Sequence, residues 1–111
     1  MDVTIEKHNS YNNIILKGRL DTITSIPFEK QILALIENGE INFLIDCEQL
    51  NYISSAGLRV LLLASKKVTP NGGKVVLSAL QDHIREVFEI SGFTAIFKIF
   101  GSHDEAVTFL N

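Results

Sequence analysis

The chain has 111 residues, of which 46% are hydrophobic and 21% are charged, as expected of one small folded domain with a single core. Its formal net charge of −3 argues against direct binding to nucleic acid, because proteins that grip the phosphate backbone carry basic surfaces. The single cysteine, Cys47, excludes an internal disulfide and a paired zinc motif, and we expect it to be a small buried thiol.

The N-terminal part of the chain predicts a β-hairpin followed by a helix. The segments VTIEKH (residues 3–8) and NNIILKGRL (12–20) are typical of strands, and the turn formers between them favour a hairpin. The segment SIPFEKQILALIENG (25–39) carries apolar residues at helical spacing, which gives the helix one face to bury. Ser25 is the expected N-cap of this helix, and Gly39 is the expected residue beyond its end.

Beyond this helix, buried-type strands alternate with further helices. We predict strands at residues 41–47, 74–80 and 95–100 and helices at 55–68, 82–92 and 102–110. Ser102 is the expected cap of the last helix. The predicted order is therefore β-β-α-β-α-β-α-β-α. This alternation implies right-handed crossovers and an α/β fold, with helices packed on a mixed, mostly parallel sheet. We expect residues 1–111 to form one domain.

Two adjacent serines, Ser54 and Ser55, precede the second predicted helix. One hydroxyl is enough to cap a helix, which leaves the other without a structural role. A small serine hydrolase would use Ser55 on a strand–turn–helix elbow, but the glycine that the elbow needs two residues earlier is missing. The candidate bases, His83 and His103, neighbour aspartates only in sequence, and adjacent residues on a helix do not face each other.

Alternatively, one of the two serines is itself the substrate of a kinase. A phosphoryl group adds about −1.5 to −2 charges, and a helix N-terminus stabilises an anion by up to about 2 kcal/mol. Arg59 lies four residues after Ser55 on the same helix face, where it can pair with the phosphate. Burying the added charge beneath a docked partner costs several kcal/mol without a pairing cation. Phosphorylation is therefore predicted to eject a partner while the fold persists.

Three short segments share their pattern with a known family. GRLD (residues 18–21) follows the second predicted strand, YISSAGLRVLL (52–62) opens the second helix with a serine, and VFEISGF (87–93) ends the third helix. Each segment resembles a motif of the STAS domain in the bacterial anti-sigma-factor antagonist family, in which the serine that opens the second helix is phosphorylated. The order of elements agrees, and the resemblance covers essentially the whole chain.

The resemblance implies a protein-interaction switch that is not an enzyme. Unphosphorylated, such a protein binds an anti-sigma factor that is also a serine kinase, which frees a sigma factor for transcription. The kinase then uses ATP to phosphorylate the serine, here Ser55, and releases its antagonist, and a serine phosphatase reverses the change. The implied partner-binding residues are Asp21, Ser54, Ser55, Ala56 and Arg59.

Three positions, Ser54, Asp21 and Gly57, are compared here with the family pattern. Many phosphorylatable members carry aspartate immediately before the acceptor serine, and this chain has Ser54 there. That change is compatible with altered kinase recognition, with phosphorylation of Ser54, or with a STAS scaffold of a transport or signalling complex that is never phosphorylated. Asp21 is predicted either to contact the kinase or to accept backbone N–H bonds in its turn. Gly57 is expected to leave room for helix–sheet packing.

No motif indicates a cofactor or a metal ion. The three histidines are dispersed, and PNGGK (70–74) runs from helix to strand, the reverse of a phosphate-binding loop. The N-terminus lacks a secretory signal pattern, and no apolar run approaches the roughly 20 residues of a membrane helix. We therefore expect a cytoplasmic protein without membrane insertion and without direct contact to nucleic acid.

Overall fold

Six strands and four helices follow one another along the chain, and the computed structural model describes all residues from 1 to 111. The elements are β1 (Asp2–Lys7), β2 (Asn12–Leu20), α1 (Ser25–Glu37), β3 (Asn42–Asp46), β4 (Leu50–Ile53), α2 (Ser55–Val68), β5 (Lys74–Ser78), α3 (Asp82–Ile90), β6 (Lys98–Phe100) and α4 (His103–Leu110). The predicted α/β class is confirmed, with four helices on a mixed and mostly parallel sheet.

The order of elements contains one strand more than the sequence predicted. This strand, β4, has four residues, of which only Leu50 and Ile53 are buried. So short and half-exposed a segment lacks the apolar run by which the other parallel strands were recognised. The observed order is therefore β-β-α-β-β-α-β-α-β-α.

The sheet has the order β1-β2-β3-β5-β6, and β1–β2 is its antiparallel pair. Strand β2 changes partners along its length, because residues 12–15 pair with β3 and residues 18–20 pair with β4. The change occurs at an irregularity in register between Gly18 and Arg19. Gly18 has a φ of +108°, a conformation that favours glycine. The glycine of GRLD thus directs the end of β2 towards β4.

Helices cover both faces of the sheet. On one face, α1, α2 and α3 pack against the strands in a cluster of 21 buried residues. On the other face, α4 packs through Ala106 against Leu44 and Val76. Cys47 lies in the larger cluster, where burial raises the pKa of its thiol above the ordinary range, so the predicted buried thiol is confirmed. None of the four helices combines the length and hydropathy that a bilayer-spanning segment requires.

The helix ends follow the sequence rules with one exception. Gly39 has a φ of +94° beyond the end of α1, and the Ser102 hydroxyl accepts a hydrogen bond from the Glu105 N–H at the start of α4, as predicted. The prediction for Ser25 is wrong, because it is already the first residue of α1 and is buried. Its hydroxyl donates to the Asp21 carbonyl oxygen at 2.5 Å instead of accepting a bond from the helix.

Candidate functional site

The pairing of β2 with β4 brings two distant segments of the chain together. Leu20 lies beside Ile53 in the sheet, and the Ser54 N–H donates to the Leu20 carbonyl oxygen at 2.9 Å. Strands β2 and β4 therefore end next to each other. The loop that begins at Asp21 follows β2, and the two serines follow β4. The structure thus places Asp21 near the serine pair.

The two serines have different roles, which the backbone decides. Ser54 is extended, with φ −94° and ψ 171°, and its hydroxyl accepts a hydrogen bond from the Gly57 N–H at 3.2 Å. Its carbonyl oxygen accepts the Leu58 N–H at 3.0 Å, which closes the first turn. Ser55 is the first residue of the helix, it is exposed, and its hydroxyl has no hydrogen-bond partner within the chain. Ser54 is the cap, and Ser55 is the free hydroxyl.

This geometry accounts for serine at position 54, where the family resemblance implies aspartate. Aspartate and serine are both among the best N-cap residues, because each offers a side-chain oxygen to the free N–H groups of the first turn. Ser54 makes that bond here. The substitution therefore preserves the start of α2 and removes a negative charge from the residue next to Ser55.

Ala56 and Gly57 complete the first turn of α2. Ala56 is partly exposed, whereas Gly57 is buried against the sheet. A Cβ atom at Gly57 would lie 2.7 Å from Leu20 Cγ and 3.0 Å from Ile53 Cγ1, closer than side chains normally pack. The predicted structural role of Gly57 is confirmed, because only glycine lets α2 approach the ends of β2 and β4 this closely.

Asp21 is a turn acid whose carboxylate accepts bonds from the loop before α1. Its Oδ1 atom accepts the Thr24 N–H at 2.8 Å, the Ile23 N–H at 3.0 Å and the Thr24 hydroxyl at 3.1 Å. The backbone bond from Thr24 is the largest cause that lowers the pKa of Asp21 below its ordinary value, and partial desolvation opposes it. All three bonds use Oδ1, so the structural role leaves Oδ2 without a partner in the chain.

Arg59 forms an ion pair with a residue of another helix. Its Nη2 atom lies 2.6 Å from Oε1 of Glu29, in an ion pair that joins α2 to α1. The side chains of Arg59 and Glu29 are 65% and 29% exposed, respectively, so the pair is accessible to a competing anion. No sequence pattern links Glu29 to Arg59, because the contact depends on how the two helices pack.

The starts of α1 and α2 also frame a shallow groove of about 270 Å³, which Ile26, Ala56 and Arg59 help to line. Ile23 and Ile26 are 77% and 58% exposed, unusually high values for large apolar side chains. We call the exposed and partly exposed residues around the serine pair the corner surface: Asp21, Ile23, Ile26, Ser55, Ala56 and Arg59. Ile23 precedes α1, and Ile26 lies in its first turn but not among its buried residues.

The groups that the alternative functions require lie elsewhere. The Nε2 atom of His83 is 2.7 Å from the Asn51 carbonyl oxygen, and Nδ1 of His103 is 3.9 Å from Oδ2 of Asp46. Neither histidine is hydrogen-bonded to Ser55. No group of three or more histidine, cysteine or carboxylate side chains is arranged to hold a metal ion. Ser55 is therefore exposed and has no histidine hydrogen-bonded to it.

Comparisons with known proteins agree with this geometry. The family model described as STAS domain matches residues 3–106. BtrV of Bordetella bronchiseptica, named as an anti-sigma factor antagonist, is 39% identical over 106 residues, covering 96% of this chain and 91% of BtrV. The solved structure of SpoIIAA in its unphosphorylated form has a TM-score of 0.78 at 18% identity, covering 96% of this chain and 94% of SpoIIAA. The phosphorylated form of SpoIIAA, a Bacillus cell fate determinant, has a TM-score of 0.80 at 20% identity, covering 99% and 100%.

The two SpoIIAA structures establish likeness of fold, and the family model and BtrV establish descent. The matched residues span nearly the whole chain and include all three predicted family motifs. The names of these relatives also agree with the class of function that the sequence predicted. The chain belongs to the STAS domain family.

Proposed function

We propose that this protein is an anti-sigma factor antagonist whose binding is switched off by phosphorylation of Ser55. Unphosphorylated, it binds an anti-sigma factor that is also a serine kinase, and a sigma factor is released for transcription. The kinase transfers the γ-phosphoryl group of ATP to the Ser55 oxygen, the hydroxyl proton is lost, and ADP leaves. A serine phosphatase hydrolyses the ester and restores binding. The protein itself has no catalytic role in the cycle.

The observation that carries this proposal is that the two serine hydroxyls have different hydrogen bonding. The Ser54 hydroxyl is held by the Gly57 N–H, whereas the Ser55 hydroxyl is exposed and free. A kinase can therefore engage Ser55 without breaking the helix cap. Modification of Ser54 would replace the cap that closes the first turn, which makes Ser54 the poorer acceptor.

The unpartnered protein should tolerate the phosphate. Ser55 and Ala56 precede the first intrahelical bond, so their N–H groups are oriented towards an anion at the helix start. A charge at this position is favoured by up to about 2 kcal/mol. No carboxylate adjoins Ser55 in sequence, since Ser54 stands where many relatives have aspartate. SpoIIAA adopts the same fold in a phosphorylated form, which supports this step.

Arg59 provides a second favourable partner for the phosphate. Residues four apart share one helix face, so the guanidinium can reach a group on Ser55. Doing so exchanges the bond to Glu29 for a bond to phosphate. Exposed ion pairs are worth only about 0–1 kcal/mol, so the exchange costs little. Phosphorylation would then also loosen the link between α1 and α2 at the edge of the groove.

A docked partner experiences the same phosphate differently. The corner surface offers the exposed side chains of Ile23 and Ile26, whose burial would contribute to affinity. A phosphoryl group beneath such an interface must be desolvated, at a cost of several kcal/mol per ion. This cost exceeds the local stabilisation at the helix start. The modification therefore removes the partner while the domain stays folded.

The direct test combines mass spectrometry with binding measurements. The purified protein is incubated with ATP and the anti-sigma kinase of the same organism, alongside the Ser55→Ala and Ser54→Ala variants. We expect one phosphate on Ser55, present in Ser54→Ala and absent in Ser55→Ala. In calorimetry with the kinase, Ser55→Asp should bind at least about tenfold more weakly than Ser55→Ala, since 1.4 kcal/mol is tenfold. Equal affinities would refute the electrostatic switch.

Two other outcomes would identify the alternatives. Tight binding to a transport or signalling complex, with no phosphate on Ser55 under any condition, would indicate a scaffold. Hydrolysis of p-nitrophenyl acetate that is lost in Ser55→Ala would indicate a small hydrolase. Both would contradict the proposal, and each gives a different readout.

A further inference from the structure

A second surface lies at the opposite end of α2. Two adjoining hollows of about 270 and 490 Å³ share Ser65, Thr69 and Ile96 in their linings, so they form one continuous groove. We call this groove the lysine groove. The last turns of α2 form one wall, and residues before and within β6, together with the end of α4, form the other.

Apolar side chains line the lysine groove without being covered. Ile96 is 49% exposed and Phe109 is 40% exposed, although both are large. Leu62, on the outward face of α2, is partly exposed beside them. Contiguous apolar surface of this kind on a small protein commonly marks an interaction site. The corner surface meets the edge of this groove in a hollow of about 120 Å³ that Arg59, Leu62 and Lys66 line together. Ser65, in the middle of the groove wall, lies ten residues beyond Ser55, about 15 Å along the helix.

The charges around these apolar side chains all have one sign. Lys66, Lys74 and Lys98 line the groove, and no carboxylate does. None of the three lysines takes part in an ion pair within the chain. The Lys98 ammonium lies 5.7 Å from the centre of the Phe109 ring, which holds one positive charge at the groove wall. In a chain with a net charge of −3, this is a local excess of uncompensated positive charge.

The wall formed by α2 has the shape that accepts another helix. Leu62, Ser65, Lys66 and Thr69 occupy positions i, i+3, i+4 and i+7, so they form a ridge on one side of α2. Ser65 is small and lies in the middle of this ridge, which permits close approach. Helices pack on such ridges through apolar side chains spaced in the same way.

We propose that the lysine groove docks an acidic amphipathic helix of a second protein, independently of Ser55 and its modification. Apolar side chains of that helix cover Ile96 and Phe109, and its carboxylates pair with the three lysines. A second copy of this chain fits less well, because a twofold contact would place the lysines of both copies against each other. A membrane fits less well also, since Ile96 and Phe109 line a concave surface and do not protrude.

The test titrates isotope-labelled protein with a defined peptide, followed by NMR. The probe is a synthetic helix of about four turns, with leucine at i, i+4 and i+7 and glutamate on the flanking positions. A matched probe carries lysine in place of every glutamate. The protein variants are Lys66→Glu with Lys98→Glu, and a control of equal charge change, Lys17→Glu with Lys30→Glu, at exposed lysines outside the groove.

We expect the glutamate peptide to shift the amide signals of residues 62–74 and 96–98. The groove variant should bind it at least about tenfold more weakly, the control variant nearly as well as wild type, and the lysine peptide should bind only the groove variant. Equal weakening in both variants, shifts confined to the corner surface, or no binding would overturn the proposal. So would groove shifts caused only by phosphatidylglycerol–phosphatidylcholine vesicles, or only by raising the protein's own concentration.

Discussion

The two ends of α2 differ in how their polar groups are used. At the N-terminal end, Ser54 caps the helix, Gly57 allows close packing, and Asp21 closes the neighbouring turn. Only Ser55 has no structural role there. At the C-terminal end, the lysines of the groove have no ion-pair partners, and large apolar side chains remain exposed. Both ends expose large apolar side chains, but the polar groups of the first end are mostly held by contacts within the chain, and the lysines of the second end are not.

This difference shows two ways in which a small domain can present a binding site. At the N-terminal end, the proposed switch depends on one exposed hydroxyl, that of Ser55, so a single modification changes the surface sharply. At the C-terminal end, function rests on a combination of shape and charge that no single residue decides. Substitutions at the first end should therefore differ strongly between adjacent residues, and those at the second should leave stability nearly unchanged.

The largest expected effect distinguishes the buried face of α2 from the face that lines the lysine groove. Leu61 is fully buried, whereas Leu62 is partly exposed. Leu61→Ala should lower the free energy of unfolding by about 2–5 kcal/mol, because it removes core contacts and leaves a cavity. Leu62→Ala should cost less than about 1 kcal/mol. Urea denaturation of both variants measures the difference, and similar losses would mean that the groove face also carries the fold.

A second effect tests the close approach at the start of α2. In Gly57→Ala, the new Cβ atom would crowd Leu20 and Ile53, so we expect a loss of about 1–3 kcal/mol from overpacking, despite the better helix propensity of alanine. Ser65→Ala, in the same helix at the open end, is the matched control and should be neutral or slightly stabilising. If Gly57→Ala were as stable as this control, a Cβ atom would fit in the first turn of α2, and the close packing described above would be wrong.

How much of this architecture the sequence predicted depends on whether local rules or tertiary contacts decide each element. The helices and the long strands were predicted because their apolar spacing repeats along the chain. Strand β4 was missed because its pairing with β2, not its composition, holds it in place. The prediction for Ser25 was wrong because Asp21 and Thr24 organise the start of α1 through bonds that precede the helix.

The residues of the candidate site also divide into those that local sequence patterns predict and those that only tertiary contacts identify. The serine pair and its place at a helix start were evident from the sequence, and the family resemblance implied Ser55 as the phosphorylated residue. Which of the two hydroxyls caps the helix was decided only by the backbone angles and hydrogen bond of Ser54. The corner surface also includes Ile23 and Ile26, which sequence analysis passed over. Glu29 was missed too, because it meets Arg59 only across the packed helices. Contacts between elements distant in the chain could not be predicted from local sequence patterns.

The next prediction compares the adjacent serines directly. Ser54→Ala removes the hydroxyl that accepts the Gly57 N–H, and it should cost about 1 kcal/mol of stability. Ser55→Ala removes a hydroxyl that is free and exposed, and it should change stability by less than about 0.5 kcal/mol. Thermal and urea unfolding would detect this difference. A reversed order would exchange the roles of the two serines and move the predicted phosphorylation site to Ser54.

The smallest effect concerns Asp21 and depends on pH. Hydrogen bonds from Thr24 and Ile23 lower the folded-state pKa of Asp21 below its ordinary value of 3.8. The carboxylate therefore contributes stability that is fully present well above 3.8 and is lost as the pH falls through the lowered folded-state value. Asp21→Asn should be less stable than wild type near neutrality, and the gap should narrow in acid. The hydrogen bonds of Glu40 also lower its pKa, so only the difference between the two proteins isolates Asp21. If the difference in unfolding free energy between Asp21→Asn and wild type stays constant from neutral to strongly acidic solution, the turn does not depend on this charge. The carboxylate of Asp21 would then have a role only in binding a partner.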